Sequence, residues 1–261
     1  MIVDYHMHLR DSAERIAHTV DGVEPVVETA AARGVDEIGF TEHVYYFRQT
    51  RPIWTEPYQT ERCVYDLDAY VDAVVEAKRR GMPVKLGMEV DYVGERQDEL
   101  AELLAPYPWD FLLGSVHWID GLAVDAGPDV GMWVDHPVDE VWRRYFSALA
   151  DLAASGHVDV LAHPDLAKIY GRRPESPIEY PALAGVALEI STNGRYKPVG
   201  ELYPDPEFLA AARLPITLAS DAHVPENVGR DFDLALDLAR ASGYDTVTVF
   251  ENRRPRQEPL G

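Results

Sequence analysis

Cysteine is almost absent. Cys63 stands alone among 261 residues, so no disulfide can form within the chain. No run of about 18 apolar residues is present, the length needed to cross a bilayer. The opening residues, Met1-Ile2-Val3-Asp4-Tyr5-His6, show neither the basic nor the apolar segment of a secretory leader. A reducing cytoplasmic setting with no membrane partner is therefore expected. Basic residues are also scarce: 24 Lys and Arg face 45 Asp and Glu, a formal net charge of −21. A surface of that sign repels nucleic acid and anionic lipid. A local basic or cation-filled pocket could still take an anion. Apolar residues are not lacking. At 46% of the chain they exclude a disordered polymer, and the length allows a large core without staples.

Short β-rich runs alternate with longer helical patterns. The runs fall at residues 2–5, 37–40, 84–90, 111–115, 158–162, 187–190 and 216–219, with a final candidate at 246–250. Helical patterns occupy 24–33, 67–80, 95–104, 137–154, 205–212 and 226–241, and several stop at a glycine. Seven such alternations predict a parallel sheet, because parallel strands need crossovers. Repeats of one handed unit either close into a barrel or form an open doubly wound sheet. The turn after the first run, His8-Leu9-Arg10-Asp11, lacks the glycines of a dinucleotide-binding turn. No linker or internal repeat divides the chain, so one domain over residues 1–261 is expected. The connections 47–66 and 122–139 are long, and loops of that length usually carry function.

Polar residues gather where the runs end. The first ends in His6-Met7-His8, the second in Thr41-Glu42-His43, the third around Glu89, the fourth in Ser115-Val116-His117, the fifth in His163-Pro164-Asp165 and the seventh in Ser220-Asp221-Ala222-His223. The sixth ends less clearly, in Glu189-Ile190-Ser191-Thr192-Asn193. One histidine at a strand end means little, because single histidines are more often plain core or surface residues. Six of nine histidines near strand ends point to metal. Imidazole and carboxylate are ligands of Zn²⁺, Fe²⁺ and Mn²⁺ alike. In an extended H-x-H pair both rings face the same side. The ligand candidates outnumber the four of one zinc site. Two or three divalent ions are therefore expected, with Glu89 able to bridge two of them.

These segments, His6-Met7-His8, Phe40-Thr41-Glu42-His43, Gly87-Met88-Glu89, Gly114-Ser115-Val116-His117, Leu161-Ala162-His163-Pro164-Asp165 and Ala219-Ser220-Asp221-Ala222-His223, resemble the PHP (polymerase and histidinol phosphatase) family. Residues 188–204, LEISTNGRYKPVGELYP, and Val228-Gly229-Arg230-Asp231-Phe232 are similar to its monofunctional histidinol-phosphatases. The resemblance implies a distorted (β/α)7 TIM-like barrel with a trinuclear centre. It assigns one ion to His6, His8, Glu89 and Asp221, a second to Glu89, His117 and His163, and a third to His18, His43 and His223. His18 is preferred over Asp11 by counting back from Gly34. The subfamily carries an arginine where this chain has Tyr196, so Arg195 or Lys197 would replace it on the phosphate.

The implied activity is hydrolysis of a small phosphate monoester, L-histidinol phosphate, by a metal-bound hydroxide. Asp165, or a metal-bound water, would protonate the leaving alkoxide. Lys168 and Arg230 are further candidates for the phosphate, although Lys168 could equally be a solvated lysine and Arg230 could pair with Asp231 or Asp233. His136 and His157 have no strand-end signature and are expected at the surface. One rival is a PHP-type phosphoesterase acting on another small ester or a nucleotide. A second is a C–N hydrolase of the amidohydrolase type, whose H-x-H accompanies a carbamylated lysine. None of the four lysines, Lys78, Lys85, Lys168 and Lys197, ends a strand. A third is a non-catalytic metal-binding module.

Overall fold

The computed structural model describes residues 1–9 and 18–261. Two parallel sheets organise a mixed α/β fold. In one, Val3–Asp4, Glu37–Phe40 and Val84–Leu86 lie side by side in that order. In the other the order is Ile216–Ala219, Ala187–Ser191, Val160–Leu161, Leu113–Ser115 and Glu89–Asp91. The crossovers that parallel pairing requires are made largely by helices Val20–Ala32, Leu67–Arg79, Gln97–Leu104, Val138–Ala154 and Pro206–Ala212. Strands covered on both faces need apolar residues throughout; Ala187–Ser191 and Ile216–Ala219 are buried at every position. Val138–Ala154 buries a stripe of Val141, Trp142, Tyr145, Leu149 and Leu152, the spacing of one helical face. Leu67–Arg79 starts where the Asp66 carboxylate accepts the Asp68 N–H.

The apolar run at 84–90 is two strands. Val84–Leu86 pairs with Glu37–Phe40, while Glu89–Asp91 pairs with Leu113–Ser115. The chain changes sheets at Gly87-Met88, and the step is packed too closely for a side chain at position 87. A Cβ on Gly87 would lie 2.7 Å from the Phe111 ring and 2.9 Å from the Phe40 carbonyl. Hydrogen bonds join the sheets at both edges. On one side the Glu89 N–H donates to the Glu42 carbonyl at 3.0 Å. On the other, Tyr5 donates to the Leu218 carbonyl at 2.9 Å, and Met7 bridges Ala222.

The helix expected at 226–241 begins only at Phe232. Before it, the Gly229 N–H donates to the buried Asp4 carboxylate at 2.8 Å, which holds that stretch out of the helix. The final strand, Thr246–Glu251, pairs antiparallel with Arg254–Pro259. That partner contains two prolines and does not read as a strand, which suits an edge position. Phe250 packs beside Tyr5 and Phe111, with ring centroids 6.2 and 5.8 Å away. The long connections contain the short helices Pro57–Thr60 and Met132–Asp135 and a hairpin of Trp118–Ile119 with Leu122–Ala123. Among the described residues no helix is long and apolar enough to cross a membrane.

Candidate metal centre

Strand geometry delivers the ligands. The first strand ends at Asp4, and the extended stretch after it turns His6 and His8 to the same side. Glu89 opens its own short strand, beside His43 in a parallel bridge. His117 and His163 follow Leu113–Ser115 and Val160–Leu161, and Asp221 and His223 follow Ile216–Ala219. His163 and Asp221 adopt positive φ, 26° and 48°. Such conformations are costly for residues other than glycine and cluster at functional sites.

The side chains meet around two carboxylates. Glu89 Oε2 lies 3.5 Å from His6 Nε2, 3.8 Å from His8 Nε2 and 2.6 Å from His43 Nδ1. Its Oε1 lies 3.5 Å from His117 Nε2 and 3.4 Å from His163 Nε2. Asp221 Oδ1 is 3.5 Å from His6 Nε2, 3.6 Å from His8 Nε2 and 3.4 Å from His223 Nε2. Most of these distances exceed a hydrogen bond. They match two ligand atoms on one tetrahedral cation, which stand about 3.4 Å apart at bond lengths near 2.1 Å. Four overlapping groups could each hold an ion: His6, His8 and Asp221; His6, Glu89 and His163; His8, His43 and His223; and His43, Asp91 and His117.

The donor set suits divalent cations on two further counts. His6 Nε2, both ring nitrogens of His8, His163 Nδ1 and Glu89 Oε1 are buried without a hydrogen-bond partner. Each such orphan costs about 1–3 kcal/mol unless something binds it. Negative charge is also concentrated, because Glu42, Glu89, Asp91 and Glu189 are each at most 1% exposed. Buried carboxylates require a counter-charge. Burial by itself would raise Glu89, but the imidazoles of His43, His6 and His117 hold it well below the carboxylate range. Burial drives His43 down to about 3, leaving the neutral ring that a metal needs.

Other carboxylates aim the rings. Glu189 Oε2 holds His6 Nδ1 at 2.8 Å, and its Oε1 accepts the His163 backbone N–H at 3.1 Å. Asp91 Oδ1 holds His117 Nδ1 at 2.8 Å, and Asn193 Nδ2 donates to Asp221 Oδ2 at 2.6 Å. Partners of this kind fix ring orientation and raise ligand basicity. None of the three was singled out as a site residue from the sequence. The available signal was a charged residue in the middle of an apolar strand, as with Glu189 in Ala187–Ser191.

The structure thus gathers eight of the nine metal candidates, His6, His8, His43, Glu89, His117, His163, Asp221 and His223. His18 stands outside these groups. Its Nε2 lies 3.2 Å from Glu42 Oε1, and its ring is set among Phe47, Tyr65 and Tyr70, while His8 joins His43 and His223 in its place. Asp11 lies outside the described residues. Lys168 is corrected from a phosphate contact to a buried structural cation. Its Nζ donates to Asp205 Oδ1 at 2.6 Å and the Leu202 carbonyl at 2.7 Å and lies 2.9 Å from Asp165 Oδ2, which occupies all three donors. Asp165 is buried and lifted to about 6 by burial, against the pull of Lys168. Its Oδ2 also accepts the Asp205 N–H, and its Oδ1 has no partner. Arg195 pairs with Asp231 at 3.0 Å. The Arg230 guanidinium carbon lies 3.2 Å from the centre of the Tyr196 ring, and its Nε is buried and unpartnered. Lys197 is half-buried.

A family model described as PHP domain matches residues 4–196. The chain belongs to the PHP domain family. Among its relatives, a probable histidinol-phosphatase of Deinococcus radiodurans is 28% identical over 262 residues, covering 97% of this chain and 98% of that one. A probable histidinol-phosphatase of Schizosaccharomyces pombe is 24% identical, covering 96% and 90%. The crystal structure of histidinol phosphate phosphatase from Lactococcus lactis, complexed with Zn, L-histidinol and phosphate, has the same fold, with a TM-score of 0.68 at 20% identity and 98% of both chains covered.

Proposed function

We propose that this protein is a metal-dependent phosphomonoesterase that hydrolyses L-histidinol phosphate to L-histidinol and phosphate, in the cytoplasm and in the service of histidine biosynthesis. The observation that carries the reading is the convergence of six histidines, His6, His8, His43, His117, His163 and His223, on Glu89 and Asp221. It is supported by relatives that match nearly end to end and are named histidinol-phosphatases. The two sheets are read as one distorted (β/α)7 barrel over a single domain of residues 1–261, with the ligands at one mouth. The hydrogen bonds that link the sheets at both edges favour this closure. Active sites of such barrels lie at the C-terminal ends of the strands.

Two or three ions of the Zn, Fe or Mn type would be held by the His6, His8, His43, Glu89, His117, His163, Asp221 and His223 side chains, and would supply charge neutralisation and hydroxide near neutral pH. The chain's own groups do the rest. Glu189 and Asp91 keep the His6 and His117 rings aimed inward. Arg230, with its free Nε, and Lys197 are the basic side chains assigned to the phosphate oxygens, Arg195 being engaged by Asp231. Asp165, two residues after His163 and with Oδ1 unpartnered, is assigned proton delivery to the leaving alkoxide. His18 is kept as a support for Glu42.

The test is metal analysis of purified protein together with phosphate release from L-histidinol phosphate and a panel of other small esters and nucleotides. Two to three ions per chain and fastest release from L-histidinol phosphate are expected. No release from any ester after loading with Zn, Fe or Mn would refute the reading. Preference for another ester would move the substrate and leave the chemistry in place.

A further inference from the structure

Tyr203 is a buried phenol whose hydroxyl has no hydrogen-bond partner among the described residues, and the hydrolytic chemistry above makes no use of it. We propose that Tyr203 is a catalytic residue whose O–H donates a hydrogen bond to the ester oxygen that leaves phosphorus with the alcohol; the proposal rests on the phosphatase reading and deepens it.

The fold fixes the ring. Tyr203 exchanges both backbone hydrogen bonds with Ser191, at 2.7 and 3.0 Å, which ties it to the end of strand Ala187–Ser191. Its ring stands at 67° to that of His163, with centroids 6.1 Å apart, and Lys168 Nζ lies 5.3 Å from its centre. Gly194 packs against it as well: a Cβ there would lie 2.8 Å from Tyr203 Cε2. A ring held by these neighbours has little freedom to carry its hydroxyl elsewhere.

Buried tyrosines normally satisfy the hydroxyl. Tyr145 does so: its O–H donates to the His163 carbonyl at 3.1 Å, and its oxygen accepts the Leu166 N–H at 3.3 Å. Tyr203 is 1% exposed and makes no such bond among the described residues. Burial first, and then the charges of Asp165 and Asp221, keep the proton on its oxygen, so the group is a donor without an acceptor. Asp221 belongs to the metal centre and Asp165 is assigned to the leaving alkoxide, which places the hydroxyl at the phosphoryl end of a bound ester.

Asp165 Oδ1 is unpartnered too. A carboxyl that can deliver a proton and a phenol that can donate a hydrogen bond suit one oxygen that gains negative charge, the ester oxygen as its bond to phosphorus breaks. In that step the attacking hydroxide bonds to phosphorus. The electron pair of the broken P–O bond stays on the alcohol oxygen, the Asp165 proton goes to it, and Tyr203 keeps its own proton. A fixed donor aimed at developing charge stabilises the transition state more than the ground state.

Tyr203→Phe removes one oxygen and keeps the ring. The metal-loaded full chain is assayed with L-histidinol phosphate, whose alkoxide needs help to leave, and with p-nitrophenyl phosphate, whose phenolate leaves unaided. Loss of one such donor should lower kcat for L-histidinol phosphate about 100-fold with KM within about twofold. The loss should shrink to about fivefold or less with p-nitrophenyl phosphate, whose leaving oxygen needs no donor. Across a series of aryl and alkyl esters, kcat should fall more steeply with the pKa of the leaving alcohol than in the wild type. Metal content should match the wild type, and Tm should not fall, because the hydroxyl has no partner to lose. Equal losses on both esters, unchanged kcat for L-histidinol phosphate, a loss reversed by added metal, or a lowered Tm would overturn the assignment while leaving the phosphatase in place. A wild-type chain that hydrolyses no ester would fail the phosphatase reading itself, and the assignment with it.

Discussion

Glu189 holds two ligands at once, His6 through its ring and His163 through its backbone. Glu189→Ala should keep the fold and lower metal affinity about 10–100-fold, the usual cost of losing a partner that aims a ligand; competition with a chromophoric chelator measures it. Glu89→Ala should instead abolish turnover and strip metal, and wild-type-like turnover in that variant would refute the site. Protons compete for the same rings. Burial opposes the charge on His117, but Glu89 and Asp91 lift it to about 10, so at pH 8 it carries a proton that a metal must displace. Zinc uptake at pH 8 should therefore release at least one proton per chain, and affinity should fall as pH falls below 10; pH-stat titration shows either. The ligand candidates could be picked out because histidines at strand ends have no bland explanation in such number. Glu189 and Asp91 were hidden inside strands, where a buried charge reads as an interruption. Lys168 misled because its acceptors Asp205 and Leu202 lie more than 30 residues away in sequence, and only folding brings them to its ammonium.

At the scale of elements, the step between the two sheets at Gly87 sets where Glu89 sits. Gly87→Ala would drive a methyl into the Phe111 ring and the Phe40 carbonyl. Overpacking of this kind costs about 1–3 kcal/mol, and the shift should pass to Glu89 two residues on. Chemical denaturation should show the lost stability, and metal titration a weakened site. The order of strands and helices could be read from alternating apolar runs. The sheet change at Gly87-Met88 could not, because one short β-rich run serves one buried strand or two equally well. Arg254–Pro259 escaped for the opposite reason: its prolines and charges suit only an edge, and its pairing comes from the neighbouring strand, Thr246–Glu251. The late start of the helix at Phe232 depends on Asp4, more than 220 residues earlier, which captures the Gly229 and Ser220 amides.

For the whole molecule, cations that bind the folded centre and not the unfolded chain add stability by mass action. At a hundredfold excess over Kd each site contributes about 2.7 kcal/mol, which in a protein of this size raises Tm by about 5–10 °C. Differential scanning calorimetry with added zinc should show that rise, and EDTA should reverse it. A chain charged to −21 gains further from each dication it takes up. The ligands run from His6 to His223, so the centre is spread along nearly the entire polypeptide. At ordinary ribosomal speeds the first imidazoles leave the exit tunnel on the order of 10–40 s before the last one is synthesised. Maturation with metal must then wait for the finished chain, and a nascent fragment offers the cell's zinc only loose, exchangeable footholds.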